Sequence, residues 1–482
     1  MRRIAAHGDF FGLGLTAAVV HVCSRSAAPT PPAPTAKTAP ALRALALAQV
    51  LALAACPAPP LSPTTTASPR AGRTWEIGRA GWALSGVSGD GTTVFAASTS
   101  TPSAAGASVT TAIAAIGAGR PGDAPAWRAE LTGAGGPLAS VAGKVIAVLA
   151  GRGVIAGVAL RGEPGAVLAA LDARTGAPAW QLAVDATEWA VVTSLAAAAD
   201  GMIVGGSFAG TLRIGGSVVS SAGKSDGFAA RVTAAGAVAW LIRIGGPGAD
   251  AVQGVAAAGD RVAVAGTFGP GADVLGQPLA AFDDRSPAGD GFVAALDAGG
   301  ARRWARSFGG PEDETVAGVA IDARGRVAVA ASVRATVHVG DADLVAKGPA
   351  DGLVAWWSAD GAPGAAVLLG GTDFDGLRAI VASGDRVVVA GFYAGSIRLG
   401  ERTVTAGGGD DSFLAALDAT GRLVEAWPVT GEGREEVAAL AAIPGGFVAG
   451  ITHTAAAMVG DDALSAPADP LSGAAVMARA LR

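Results

Sequence analysis

The chain has 482 residues, of which 72 are glycine, 51 % hydrophobic and 16 % charged, and it carries a formal net charge of −5. A chain this apolar offsets its ordering entropy and is not disordered; its glycines follow no three-residue period, which excludes collagen; and its body lacks the run of ~20 apolar residues that a multi-span membrane protein needs. Charge is unevenly spread: residues 1–73 hold seven basic groups and one acid, Asp9, leaving 28 of the 35 basic and 39 of the 40 acidic residues for the rest, an acidic body that argues against nucleic-acid binding.

Residues 1–55 read as a leader. Arg43 is followed by a short apolar run ending in Leu53-Ala54-Ala55-Cys56, a basic n-region, an apolar h-region and small residues at a cleavage point. Leu53 to Cys56 resembles the lipobox of bacterial lipoproteins. That resemblance implies lipidation of Cys56, anchoring to a membrane and, with Pro57 rather than Asp next, sorting to the outer membrane or the cell surface. About 40 residues precede the h-region, more than an n-region needs, so residues 1–41 are read as a mis-assigned start. Residues 56–73 are rich in Pro, Thr and Ser and read as an extended tether.

From residue 74 to the end the chain repeats. Asp290-Gly291-Phe292-Val293-Ala294-Ala295-Leu296-Asp297 leads to Trp304; Asp226-Gly227-Phe228 leads to Trp240; Asp411-Ser412-Phe413 leads to Trp427; Asp351-Gly352-Leu353 is a variant. Anchors at 112, 167, 228, 292, 353, 413 and 476 give seven copies at a near-constant period, the mark of a closed or stacked array. Each unit reads as four strands, because β-branched runs alternate with turns such as Asp322-Ala323-Arg324-Gly325. A short extra hairpin, such as Gly395 to Gly400, precedes the next anchor.

Four-stranded units around a circle make a β-propeller. The expected fold is therefore all-β, a seven-bladed propeller over 74–482, closed by pairing the N-terminal strand around Trp75 with the C-terminal strand after Ala475. The unit count rests partly on residues 138–184, where the repeat is irregular. The recurring pattern resembles the bacterial seven-bladed β-propeller repeat of SBBP type. That resemblance implies an extracytoplasmic location and says nothing of activity. One departure stands out: Ala365 occupies an expected tryptophan position, and Trp356 and Trp357 on the preceding strand are read as compensating packing.

Chemistry-bearing residues are sparse. The body has two histidines, His338 and His453, and no GxSxG or HExxH motif. Gly-x-Gly-x-x-Ala matches at 151 and 246 are attributed to the high glycine content. Cysteines occur only at 23 and 56, so the body has no disulfide or cysteine metal site. Acids cluster in loops from an outer strand to the next inner strand and from the second to the third strand, two loop classes that leave a propeller on one face. They include Asp250, Asp313, Asp373, Asp375 and Glu435, and also Asp283/Asp284, Asp341/Asp343 and Asp461/Asp462. The opposite face receives Arg261, Arg302, Arg303, Arg324, Arg326, Arg386 and Arg422. Tryptophans 127, 180, 240, 304 and 427 are read as one recurring packing position. The non-repeating aromatics Trp189, Phe374, Phe392 and Tyr393 are read as binding candidates, and the insertion from Gly269 to Asp290 as a loop able to shape a pocket.

These residues support a surface-tethered, monomeric propeller without a resident cofactor, binding envelope protein, glycan or ion through the face marked by Trp189, Asp250, Asp313, Asp373, Asp375, Tyr393 and Glu435. Ca²⁺ is the ion its carboxylates would suit, with Asp373 and Asp375 as the local approach to a calcium loop. The alternative is an extracytoplasmic lyase or hydrolase using two carboxylates of that face.

Overall fold

The computed structural model describes residues 72–76, 82–89, 93–100, 109–117, 125–150, 154–155, 158–159, 165–282, 289–467 and 473–481. The leader, Cys56 and nearly all of the tether lie outside the described residues, as do Asp283 and Asp284.

The described residues form seven antiparallel four-stranded sheets, two of them extended by a hairpin. Blade 1 runs Trp82–Gly89, Thr93–Ser100, Thr110–Gly117, Trp127–Thr132, in that order from inner to outer strand. Blades 2 to 6 repeat the order, with inner strands Ala134–Val141, Trp189–Ala198, Ala251–Ala258, Thr315–Ile321 and Gly376–Ser383. Blade 7 combines Glu435–Ile443, Gly446–His453 and Gly473–Ala480 with Gly72–Glu76, which pairs Trp75 with Val476 and closes the circle. Each inner strand lies beside the inner strands of both neighbours, and the series returns from blade 7 to blade 1. The chain is a seven-bladed β-propeller, and the irregular stretch around residue 138 is a full blade. Closure leaves no blade without a neighbour on either side, and each sheet keeps only a short edge at its outer strand.

The reason for stacking is visible in burial. Third strands such as Asp290–Asp297 are buried on both faces, because each sheet is covered on either side by a neighbouring blade. Seven apolar clusters fill the seven seams, one per seam; Leu84, Val87, Val448 and Val476 hold the closing one.

Seams are also latched at the face carrying the third-to-outer turns. Trp127, Trp180, Trp240 and Trp304 each donate their indole N–H to a turn carbonyl of the next blade, Ala173, Ala234, Ala298 and Ala359, at 2.8–3.0 Å. The turn lies flat against the indole: Gly236 has φ +86°, and a Cβ there would sit 2.8 Å from the Trp180 ring. Trp427 departs from the expected repeat. It pairs with Leu414, two residues further along than Trp304 opposite Ala295, and packs on Phe447 with ring centroids 5.1 Å apart. In blade 5 the tryptophans do move to the third strand: Trp357 enters the apolar layer toward blade 4 and Trp356 the layer toward blade 6.

The extra hairpins leave the acid-rich face. Thr211–Ile214 pairs with the outer strand Pro178–Ala186 of the preceding blade, and Ala457–Val459 does the same to Leu423–Gly431. Such a hairpin runs down the rim, so Asp341, Asp343, Asp461 and Asp462 sit on the side of the disc rather than on its face. Asp462 is the informative one: it accepts Thr74 Oγ1 at 2.8 Å and pairs with Arg479, tying the rim hairpin to both strands of the closure.

Candidate functional site: the acid-bearing face

A propeller blade sends its second-to-third and outer-to-inner connections to one face, because its four strands alternate in direction. Four successive seams on that face carry a pair of buried acids. The first acid begins a third strand: Asp226, Asp290, Asp351 and Asp411. The second sits at the entry to the next blade's inner strand: Asp250, Glu314, Asp375 and Glu435. The two are always 24 residues apart (226 to 250, 290 to 314, 351 to 375, 411 to 435). That constant interval was available in the sequence, and reading acids loop by loop missed it. In the preceding seam that place falls to buried Ala190, opposite Phe208 and three residues before the Thr193 bulge, and exposed Trp189 stands one residue earlier.

The first acid of each pair caps its own loop. Asp226, Asp290, Asp351 and Asp411 each accept through Oδ2 the amide of a residue upstream: Ala222 at 2.5 Å, Phe282 at 2.7 Å, Lys347 at 2.9 Å and Gly407 at 2.9 Å. The second acid behaves in two ways. Asp250 accepts Gly246 N at 2.7 Å and Gly269 N at 2.8 Å, and Asp375 accepts Gly371 N at 2.5 Å and Ala394 N at 3.2 Å. Glu314 and Glu435 are one methylene longer, and no donor meets their oxygens with good hydrogen-bond geometry; the Gly310 amide lies near Glu314, and the Gly433 amide and the Asp411 carboxyl lie near Glu435.

Electrostatics follow from this burial. Desolvation, opposed by the two amides and reinforced by Asp226, pushes Asp250 up to about 6; Asp375 rises to about 6 for the same reasons, with Asp351 and Asp373 adding to it. Desolvation pushes Glu314 up to about 9, with Asp290 and Asp313 reinforcing it. Asp411 and Glu435 form a tightly coupled pair, both raised, first by burial. The seam of blades 3 and 4 has a guanidinium at hand, Arg243 at 3.2 Å from Asp226.

The candidate residues therefore divide. Asp250, Asp375, Tyr393 and Glu435 are buried in seams, and Asp313 is half-buried beside Glu314. Trp189 and Asp373 are exposed, Trp189 at the head of the blade 3 inner strand. Asp373 and Asp375 are neighbours in sequence but not in setting: Asp375 serves the seam, while Asp373 faces outward. His338 holds Asp343 at 2.6 Å and stacks on Phe282, and buried His453 contacts the Ala455 carbonyl at 2.9 Å. Four arginines of the opposite face are ion-paired: Arg326 and Arg422 within their own turns, with Asp322 and Asp418, and Arg303 and Arg324 with acids of other turns, Asp260 and Asp385.

One exposed cluster does form, on blades 6 and 7. Phe374, 45 % exposed, lies against Phe392 with ring centroids 5.7 Å apart. Arg378 sits over the Phe392 ring at 4.8 Å and reaches Glu436 at 3.4 Å, and Glu436 also meets Arg434 at 3.6 Å. Arg378 takes up the extra residue of a β-bulge between Leu377 and Ala379, which re-aims its side chain. Inner strands carry a register shift at the equivalent place in all seven blades, with Ser85, Thr193, Gln253 and Ala317 among the residues set out by it. Phe374 and Phe392 were legible as aromatics outside the repeat, and Glu436 as one of the acids of the outer-to-inner loops; Arg378 was not, since nothing in the sequence marks a bulge. Among the described residues no three acidic, histidine or cysteine side chains gather round one point, and no helix is long and apolar enough to cross a membrane.

No family model matches the chain, and no curated protein does. Solved structures do resemble it. A PL25 ulvan lyase, a polysaccharide lyase, matches at 11 % identity and TM-score 0.40 over 78 % of this chain and 92 % of its own. A europium-containing methanol dehydrogenase matches at 12 % and 0.35, over 85 % and 93 %. A subtype N10 neuraminidase-like protein of A/little yellow-shouldered bat/Guatemala/060/2010 matches at 8 % and 0.34, over 84 % and 97 %. Likenesses this distant carry no argument about what this chain binds or acts on.

Proposed function

We propose that this chain is an extracytoplasmic propeller of SBBP type, lipid-anchored at Cys56, that binds an envelope glycan or protein without transforming it. The observation that carries the reading is the division of the acid-bearing face. Its paired carboxylates are spent on seams, buried and in most cases held by backbone amides, where a substrate cannot reach them. What stays exposed is Phe374 packed at a tilt against Phe392, with Arg378 held over the ring by Glu436. An aromatic face beside a fixed guanidinium suits a sugar ring or a carboxylate-bearing chain, by stacking and charge-assisted hydrogen bonds. Lipobox-like Leu53 to Cys56 and the Pro/Thr/Ser-rich stretch after it support a membrane tether, with the outer membrane or cell surface as the location.

The test has two arms. Cys56→Ser is expected to release the protein from membranes into the soluble fraction, and a wild-type protein already soluble refutes the anchor. In the second arm, the full chain in detergent is screened on envelope glycans and proteins. Phe374→Ala is expected to weaken the bound partner about tenfold with the fold intact, since loss of one stacked ring is worth roughly 1–1.5 kcal/mol. Unchanged affinity in both Phe374→Ala and Arg378→Ala removes the platform from the proposal.

A further inference from the structure

The seam between blades 6 and 7 has more buried oxygen than its own donors can serve. Asp411 accepts the Gly407 amide through Oδ2, but no donor meets Oδ1, either oxygen of Glu435 or the hydroxyl of Tyr393 with good hydrogen-bond geometry; the two carboxyl groups face each other, with the Gly431 and Gly433 amides near them. Glu435 is 2 % exposed, and Asp411 and Tyr393 are fully buried. Burial pushes the ionisation of the tyrosine up, with both carboxylates adding to it and Arg402 opposing them. Orphaned polar atoms are rare in folded proteins, and several converging on one spot call for a bound group.

The missing group is electropositive. In the seam of blades 3 and 4, Arg243 stands opposite Phe228 in the outer strand and reaches Asp226 at 3.2 Å. At the matching register in blade 6, Pro428 stands opposite Phe413, so the guanidinium is gone. Neither Asp411 nor Glu435 makes an ion pair among the described residues. A backbone carbonyl joins the same space. A Cβ added at Gly431 would collide with Glu435 Oε1 and come within 2.8 Å of Ala456 O, so glycine leaves both oxygens facing one opening.

We infer that this seam is a divalent-cation site of calcium type, held by the carboxylates of Asp411 and Glu435 with the Ala456 carbonyl. Ca²⁺ takes six to eight oxygens, mixing carboxylate, carbonyl and water, in flexible geometry, which fits a two-acid cradle completed by backbone and solvent. The extra methylene of Glu435 makes the site: Asp375, at the same place one seam earlier, falls back on two amides and has no oxygen to offer.

The experiment is calcium uptake by the full chain in detergent, stripped with a chelator and dialysed against micromolar ⁴⁵Ca²⁺ at pH 8. Wild type is expected to retain calcium and Glu435→Gln to retain one equivalent fewer per chain. Thermal unfolding should agree: at a hundredfold excess over its Kd, calcium is expected to raise the wild-type Tm by about 3 °C. Equal uptake by wild type and variant, at zero or at any other level, overturns the site and leaves the pair as a shared proton. Should Glu435→Gln fail to fold, Glu435→Asp decides, because the shorter carboxylate is expected to retreat onto amides and lose the same equivalent; if it keeps that equivalent, the site is overturned.

Discussion

Every seam from blade 3 to blade 5 is fastened twice, by different chemistry at its two ends. At the turn face, Trp240 and Trp304 reach across to the next blade with an indole N–H and a large apolar ring. At the acid face, the same blades meet through two carboxyl groups that are buried against each other. The turn end is neutral and indifferent to pH. The acid end is built from groups whose ionisation the fold opposes, so its contribution to stability depends on protons or on another cation. The disc is thus uniform in its apolar layers and polar in its fastenings, with the conditional ones on the face that carries the exposed Phe374 and Arg378.

Deleting a fastening at the neutral end is expected to cost most. Trp304 is 5 % exposed, fills the layer between blades 4 and 5, and bonds Ala359. Trp304→Ala should lower unfolding free energy by about 3–5 kcal/mol, equally at pH 6 and pH 8, as read by denaturant titration at both. A loss that changes with pH would mean the two ends of the seam are not independent.

The acid end of that same seam gives the next effect. Glu314 keeps its proton in the folded chain up to about pH 9, whereas the free side chain loses it near 4.5. Between those values the folded state holds one more proton than the unfolded state, so stability falls as pH rises, by about 1.4 kcal/mol per unit for one such group. Between pH 6 and pH 8 that is roughly 2.7 kcal/mol. Glu314→Gln keeps the shape and removes the proton, so its unfolding free energy should lose that slope and exceed wild type at pH 8. A variant with the wild-type slope would place the pH dependence elsewhere.

How much of this was legible differs between the ends. The recurring Asp-Gly-Phe to Trp string sets blade number, strand order and closure, because a period imposes the same local solution seven times. All five tryptophans pack in seams, four of them at the repeat position their spacing implied. Trp427 packs from two residues further along the outer strand, and only pairing with Leu414 reveals that. At the acid face, composition correctly pointed to a concentration of carboxylates, but not to which ones are withdrawn from solvent. Burial of Asp250 or Asp375 depends on the next blade's inner strand arriving over it, a contact between units that no single unit encodes. The rim placement of Asp341 and Asp461 was hidden for the same reason: their hairpins pair with the blade before their own.

The smallest expected effect separates the aspartate seams from the glutamate seams. Asp375 is raised only to about 6, so its proton-linked contribution is confined to roughly pH 4–6, and at pH 8 it is ionised whether the chain is folded or not. There its work is to accept two amides, Gly371 N and Ala394 N, one on each oxygen. Asn has a single acceptor oxygen, and its NH₂ would face one of those donors. Asp375→Asn is therefore expected to lower stability at pH 8 by about 1–2 kcal/mol, the cost of one buried amide left unpaired. Glu314→Gln carries a smaller cost, since no amide meets Glu314 with good hydrogen-bond geometry. The same acid-to-amide change should thus move stability down at one seam and up at the next, measured in the same buffer. If both move the same way, the extra methylene is not what distinguishes the two kinds of seam.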